Sequence, residues 1–270
     1  MAFFYKNRGG LRSGRGAHRR TLSQLLANLP YNPAKFSTLR ARVSYFISKD
    51  TFLISDSHFG HQAALLKEPI RSKSALLHGF RDFDEFSVAM WNRALSPKDR
   101  IWHLGDLYFG SGYKLLKKLN GTKLLIVGNN DIGKYEYVRG LKQWSVCDKL
   151  HLQIPESRLI KDYLKQKFGK QALKNIYLNA VVCDVEGERI MFSHFPVFNR
   201  KPRDRFANAR DILDTAFRLA QCSLNIHGHL HSRESGNDFC VNVSCEKLGF
   251  IPRTLGEVLR SHRKKRSFDD

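Results

Sequence analysis

The sequence predicts an α/β fold, a sandwich of two mixed sheets with helices outside. Three observations predict it. Short apolar strands alternate with loops and helical stretches in the first half, as buried, largely parallel sheets require. The second half carries a hairpin signature, Val181-Val182-Cys183 and Arg189-Ile190-Met191-Phe192 around Glu186-Gly187. At 270 residues and 42% hydrophobic, the chain can bury a sizeable core as one decorated domain.

Taken in order, Val43–Ile47 and Thr51–Ile54 are apolar runs joined at Lys49-Asp50, and they predict a hairpin or two adjacent strands. Phe83, Phe86, Met90 and Ala94 recur near helical spacing, so 82–95 is a helix. A short strand over 100–104 leads into Gly105-Asp106. Tyr113 to Leu119 is helical, and 123–127 is a largely apolar strand ending at Gly128. Residues 157–175 form a basic amphipathic helix interrupted at Gly169. Helix is expected from Phe206 to Ala220, with strands at 223–226 and 239–243.

Charge divides the chain. The net charge is +21, and ten Lys and Arg residues from Lys6 to Lys49 precede the first acidic residue, Asp50. Such an excess draws polyanions, nucleic acid before an anionic surface. Three segments follow: a basic arm over 1–48, a catalytic domain over 49–256 and a basic tail over 257–270. The arm is glycine-rich at its start and could hold one short helix, Leu22–Leu29. It reads as a nucleic-acid contact first, an organelle transit peptide second and a solvated extension third. The tail, with Arg260, Arg263, Lys264, Lys265 and Arg266, is expected to be disordered.

The five cysteines are odd in number and form no C-x-x-C pair, so they read as reduced thiols in a reducing, cytoplasmic compartment. No apolar run is long enough to span a membrane.

Five short clusters carry chemistry: Asp56-Ser57-His58, Gly105-Asp106, Gly128-Asn129-Asn130-Asp131, Ser193-His194 and His227-Gly228-His229-Leu230-His231. They supply seven oxygen or imidazole donors: Asp56, His58, Asp106, Asn129, His194, His229 and His231. Two divalent ions sharing one carboxylate need about that many protein ligands. No thiolate belongs to the set, which argues against a zinc finger. Each cluster follows an apolar strand, so the donors should converge at one sheet edge. Strand alternation would aim Asp56 and His58, or His229 and His231, the same way from extended backbone.

The order and spacing resemble the calcineurin-like metallophosphoesterases, whose pattern is D-x-H, G-D, G-N-H-[DE], H and G-H-x-H. The likeness runs from about Phe52 to Glu246. Asp56-Ser57-His58-Phe59-Gly60-His61 and Trp102-His103-Leu104-Gly105-Asp106 resemble the small bacterial and phage branch. That resemblance implies a four-layer α/β/β/α sandwich and two metals, manganese first, with iron, zinc or nickel as alternatives. It implies Asp56, His58, Asp106 and His231 on one ion, and Asp106, Asn129, His194 and His229 on the other. Two such ions would bind phosphate and lower the pKa of a shared water, giving a hydroxide that attacks phosphorus in line.

One departure matters. Where the family usually has histidine after the metal-binding asparagine, this chain has Asn130. An amide donates a hydrogen bond but delivers no proton. His61 and His103 are the candidate substitutes; His103 reads more as a residue that supports a ligand from behind or packs in the core. Arg200, Lys201, Arg203, Arg205 and Arg210 crowd one segment and could clamp a phosphodiester, with Arg200, Arg203 and Arg205 as the substrate-binding set. Tyr163, Phe168 and Tyr177 could stack bases or be core. The expected activity is therefore phosphodiester hydrolysis on nucleic acid or nucleotides. The alternatives are a nucleic-acid-binding protein with a structural metal site, and a broad phosphomonoesterase.

Overall fold

The computed structural model describes residues 45–269. The first sheet holds β1 (Phe52–Ile54), β2 (Arg100–His103), β3 (Thr122–Ile126) and β4 (Trp144–Cys147), all mutually parallel. A two-residue edge strand, β10 (Arg253–Thr254), runs antiparallel to β1. The second sheet runs β5 (Leu150–Gln153), β6 (Ala180–Val185), β7 (Glu188–Ser193), β8 (Leu224–His227) and β9 (Cys240–Asn242) in that order. Only β6 and β7 are antiparallel there. Their two-residue turn, Glu186-Gly187, has φ of 53° and 82°. Both positive angles match a type I′ hairpin turn.

Alternation explains the layers. Leu53, Trp102, Leu124 and Ile126 point from the first sheet into a cluster shared with Val181, Cys183, Phe192 and Ile226 of the second. Ile54, Ile101 and Leu125 point the other way, onto Phe83, Phe86, Met90 and Trp91 of α3 (Phe83–Ala94). The expected helix over 82–95 is thus present. It is capped by Asp82, whose side chain accepts from the Glu85 N–H at 2.8 Å. Before it lie α1 (Gln62–Lys67) and α2 (Ile70–Leu77), and α4 (Tyr135–Arg139) follows β3. On the second half, α5 (Ser157–Phe168) and α6 (Ala207–Leu219) pack together and bury Ile160, Leu164, Ile212 and Ala216. Gly169, at φ 93°, ends α5 where the sequence placed the interruption.

Three expectations are corrected. Residues 45–48 form no strand, so the proposed hairpin with 51–54 does not exist; β1 pairs with β2 and β10 instead. Tyr45 already packs on the body, its ring edge-on to Trp102 and its N–H donating to Gln153 Oε1 at 2.5 Å. The domain therefore begins before residue 49. The arm over 1–44, with its expected helix, lies outside the described residues. The C-terminal run is helix, not a disordered tail: α7 (Leu255–Asp269) buries Leu255, Val258 and Leu259 in the core between the sheets. Three apolar residues at helical spacing outweigh the basic charge that follows them.

All five cysteines are free thiols. No helix among the described residues is long and apolar enough to cross a membrane.

Candidate metal centre

The seven donors converge. Asp56 and His58 follow β1, Asp106 follows β2, Asn129 follows β3, His194 follows β7, and His229 and His231 follow β8. The two sheets are stitched together at this end. Ser55 N–H donates to Val243 O and Ser55 O accepts from Cys245 N–H, both at 2.9 Å.

Asp106 sits between two imidazoles. Its Oδ2 lies 3.6 Å from His58 Nε2 and its Oδ1 lies 3.5 Å from His194 Nε2. Asp56 Oδ1 lies 4.0 Å from His58 Nε2 and 3.9 Å from His231 Nε2. His194 Nε2 is 3.0 Å from Asn129 Oδ1 and 3.2 Å from His229 Nδ1. Asp56, His58 and His231 therefore form one group able to hold a cation, and Asp56, Asp106 and His194 form a second.

Proton placement tests whether a cation fits. His194 Nδ1 faces Leu104 O at 2.9 Å and donates to it, which turns Nε2 into the cluster. That nitrogen faces Asn129 Oδ1 at 3.0 Å, Asp106 Oδ1 at 3.5 Å and His229 Nδ1 at 3.2 Å. His231 Nδ1 donates to Glu246 Oε1 at 3.0 Å, which turns its Nε2 toward Asp56. Asp56 Oδ1 and His58 Nε2 are buried without any hydrogen-bond partner. Ring nitrogens and side-chain oxygens gathered at 3.0–4.0 Å, two of them buried with no hydrogen-bond partner, are the arrangement that donors adopt around ions with bonds of about 2.1 Å. The donor set fits divalent cations.

The surroundings hold this arrangement under strain. Asp56, His58, Asp106, His229 and His231 all have φ between 49° and 69°. Each such residue costs about 1–3 kcal/mol, a price borne where neighbours over-determine the backbone. This corrects the expected extended geometry: left-handed turns after the strands aim the donors, because extended backbone would carry them past the sheet edge. Gly228 allows the closest approach. A Cβ there would lie 1.9 Å from Ser55 Oγ and 2.5 Å from Asp56 Oδ2. At Gly128 a Cβ would meet Asp106 Oδ1 at 2.5 Å.

Electrostatics follows burial. Burial alone would raise the Asp56 carboxyl, but His194 first and His231 next outweigh it and hold it well below the usual range. Asp106 is raised, by burial first and by Asp56. Burial pulls His58 well down and brings His229 to about 2, so both imidazoles are neutral donors.

Several residues beyond the seven complete the site. Asp131 accepts from the N–H groups of Asp106, Leu107 and Gly128 at 2.8–2.9 Å and locks two donor loops together. Asn130 lies against Asp106, its backbone N–H donating to Oδ1 at 2.9 Å and its side-chain amide to Oδ2 at 2.6 Å. It thus positions the central carboxylate. His61 stands at the mouth, its Nδ1 3.1 Å from His58 Nδ1 and its ring stacked on Phe109 at 4.3 Å. His103 is fully buried beside Trp91 and bonded to Ser57 Oγ at 2.9 Å, a packing residue as expected.

The basic segment departs from the expected clamp. Arg210 is buried, paired with Asp204 at 2.9 Å and lying over the Phe195 ring, so it is structural. Arg200 is exposed but paired with Asp211 on α6 at 2.7 Å. Arg203 is exposed in the same loop at φ 58°. Of the three expected clamp residues, Arg205 is the one tied to the cluster through a ring: its guanidinium lies 4.5 Å over the Phe206 ring, and that ring stands 6.5 Å from the His229 ring. Tyr177 packs edge-on against Phe206 at 4.9 Å.

Two residues that the motifs do not reveal are Arg71 and Glu246. Arg71 is wholly buried and donates to Asp56 O at 2.6 Å and Ser57 O at 3.1 Å. Nothing local marks it, since an arginine on a short helix ordinarily reads as solvent-facing. A cavity of about 800 Å³ lies away from the cluster, between β9 and α7, lined by Asp238, Val241, Lys247, Glu257 and Lys265 among others.

Fold and site together define an α/β protein with two mixed five-stranded sheets and a buried Asp/His cluster able to hold metal. The fold is similar to that of AQ665, a protein of unknown function from Aquifex aeolicus, with TM-score 0.55 and 22% identity. The match covers 78% of this chain and 97% of that chain. No family model and no curated protein matches this chain.

Proposed function

We propose that this chain is a dinuclear metal-dependent phosphoesterase of the calcineurin-like kind, with its four-layer sandwich, and that it hydrolyses phosphodiesters of nucleic acid or nucleotides. One observation carries the reading: the Asp106 carboxylate lies between imidazole nitrogens of His58 and His194, one to each oxygen. A shared carboxylate flanked by two donor sets is what a pair of divalent ions requires. Asp56, His58, Asp106 and His231 would hold one ion, and Asp106, Asn129, His194 and His229 the other.

Such a pair, when bound, supplies Lewis acidity toward phosphate oxygens and lowers the pKa of a shared water. The chain's own residues do the rest. Asn130 and Asp131 fix Asp106 and its loop, so no reorganisation is needed at the moment of reaction. His61 presents its outer edge at the mouth, within reach of an incoming phosphate. Asn130 has no proton to give a leaving group, so a sugar alkoxide leaving from a nucleic acid would take its proton from elsewhere, with His61 as the candidate. The net charge of +21 favours a polyanionic substrate over a small neutral one.

The test is hydrolysis of bis-p-nitrophenyl phosphate against p-nitrophenyl phosphate with added manganese, alongside metal content by elemental analysis. Diester preference and two ions per chain support the reading. Monoester preference overturns the diesterase part, and a protein that retains no metal overturns the whole.

A further inference from the structure

Besides the buried, paired Arg71 and Arg210, each side of the cluster carries a further cation seated on an aromatic ring. On the side built by the first sheet, Lys134 Nζ lies 4.0 Å over the Phe109 ring and donates to Tyr108 O at 3.2 Å. Phe109 is stacked on His61, which touches His58. On the side built by the second sheet, Arg205 lies 4.5 Å over Phe206, beside His229. A long side chain held on a ring loses less freedom on binding an anion than a free one does.

The first wall has a further feature. Phe109, Tyr113 and Tyr137 are 41%, 38% and 38% exposed. Tyr113 and Tyr137 meet edge-on at 5.1 Å, and Tyr137 also meets Tyr108, whose hydroxyl donates to Lys134 O. Exposed rings beside a fixed cation are how proteins hold unpaired bases next to their phosphates. In a duplex those base faces are already stacked.

Resting on the phosphoesterase reading, we infer that the substrate is a single-stranded nucleic acid that passes through the site. Lys134 would hold a phosphate on one side of the scissile ester and Arg205 one on the other, with bases against Phe109, Tyr113 and Tyr137. A mononucleotide or a short cyclic ester would engage one wall only.

The test is binding, so it stands apart from turnover. Anisotropy of a labelled oligothymidylate about 12 nucleotides long is followed in chelator over about 50–200 mM salt. Lys134→Ala and Arg205→Ala should each lower the slope of log affinity against log salt by about 0.7, the value for one phosphate on a single strand. Lys134→Arg and Arg205→Lys should keep the slope, which guards against misfolding as the cause. Phe109→Ala should weaken the strand by about tenfold, within the range of one lost stacking contact. Lys98→Ala, an exposed lysine before β2 and so at the opposite end of that strand, is the control for bulk charge.

Slopes unmoved by either alanine variant, or moved equally by the control, overturn the inference. So does tighter binding of a duplex of equal length. If the strand is not bound while bis-p-nitrophenyl phosphate is hydrolysed, the clamp fails and the hydrolase reading stands. If the slopes fall as expected but no ester is cleaved, strand binding is supported and the hydrolase reading fails.

Discussion

Arg71 and Glu246, 175 positions apart in the chain, close a buried ion pair at 2.5 Å behind the candidate metal centre. Glu246 also accepts from His231 Nδ1, while Arg71 donates to the carbonyls of Asp56 and Ser57. One pair thus fixes both the D-x-H loop and the H-x-H loop. Removing one partner of a buried pair strands the other charge, at about 3–5 kcal/mol. Glu246→Gln should therefore lower the thermal midpoint in calorimetry, with or without chelator, and reduce bound metal because a neutral amide orients His231 more weakly than the carboxylate does. An unchanged midpoint would remove the pair from any supporting role.

Gly228→Ala should be as damaging as loss of a donor. The added methyl meets Ser55 Oγ and the Asp56 carboxylate at once, so the H-x-H loop must move away from Asp56. Elemental analysis should find metal reduced and the apo midpoint lower. Ser55→Ala in the same chain relieves the first contact but not the second, so rescue should be partial. Full metal occupancy in Gly228→Ala would show that the loop has room to spare.

Asn130→His introduces the residue that the resembled pattern usually carries. On the proposed reading it supplies a proton to the leaving oxygen, so an alkyl phosphodiester, whose alkoxide needs that proton, should gain at least about tenfold relative to bis-p-nitrophenyl phosphate, whose leaving group does not. Asn130→Ala should slow both esters, because Asp106 loses a hydrogen bond at 2.6 Å. A ratio of the two rates that ignores the identity of residue 130 would sever this position from leaving-group chemistry.

Acid should destabilise the metal-free fold. Burial brings His103 to about 3 and His151 to about 4, the latter helped by Lys149. Unfolded, both bind protons near 6.5, so between about 6.5 and 3 the unfolded chain holds more protons than the folded one. The stability these neutral imidazoles contribute is complete above pH 6.5 and is lost as pH falls through that window. The midpoint in chelator should drop from pH 7.5 to 5, and His151→Gln should flatten the dependence. A midpoint that rises on acidification would contradict the neutral assignment.

Much of the site was legible in the chain. Each donor cluster trails an apolar run because a strand must bury its side chains before its end can present polar groups at an edge. The seven donors Asp56, His58, Asp106, Asn129, His194, His229 and His231 could therefore be read off in order. Their aim could not. Extended backbone was the local default, and the left-handed turns at five of them arise only because Ser55, Asp131 and the glycines pack the loops that tightly. The clamp at Arg200–Arg210 was over-read for a similar reason. Charge is visible in sequence, but whether Asp204 or Asp211 neutralises it depends on α6.

By itself, then, the sequence determined the α/β class, most strand positions and the identity of the donors, since periodicity and residue chemistry are local properties. The tertiary structure alone decided which lone pairs face one another, that Arg71 lies buried against Glu246, and that the basic C-terminus is a helix. Those outcomes depend on contacts between distant segments and on desolvation, and neither quantity exists until the two sheets have closed on their shared core.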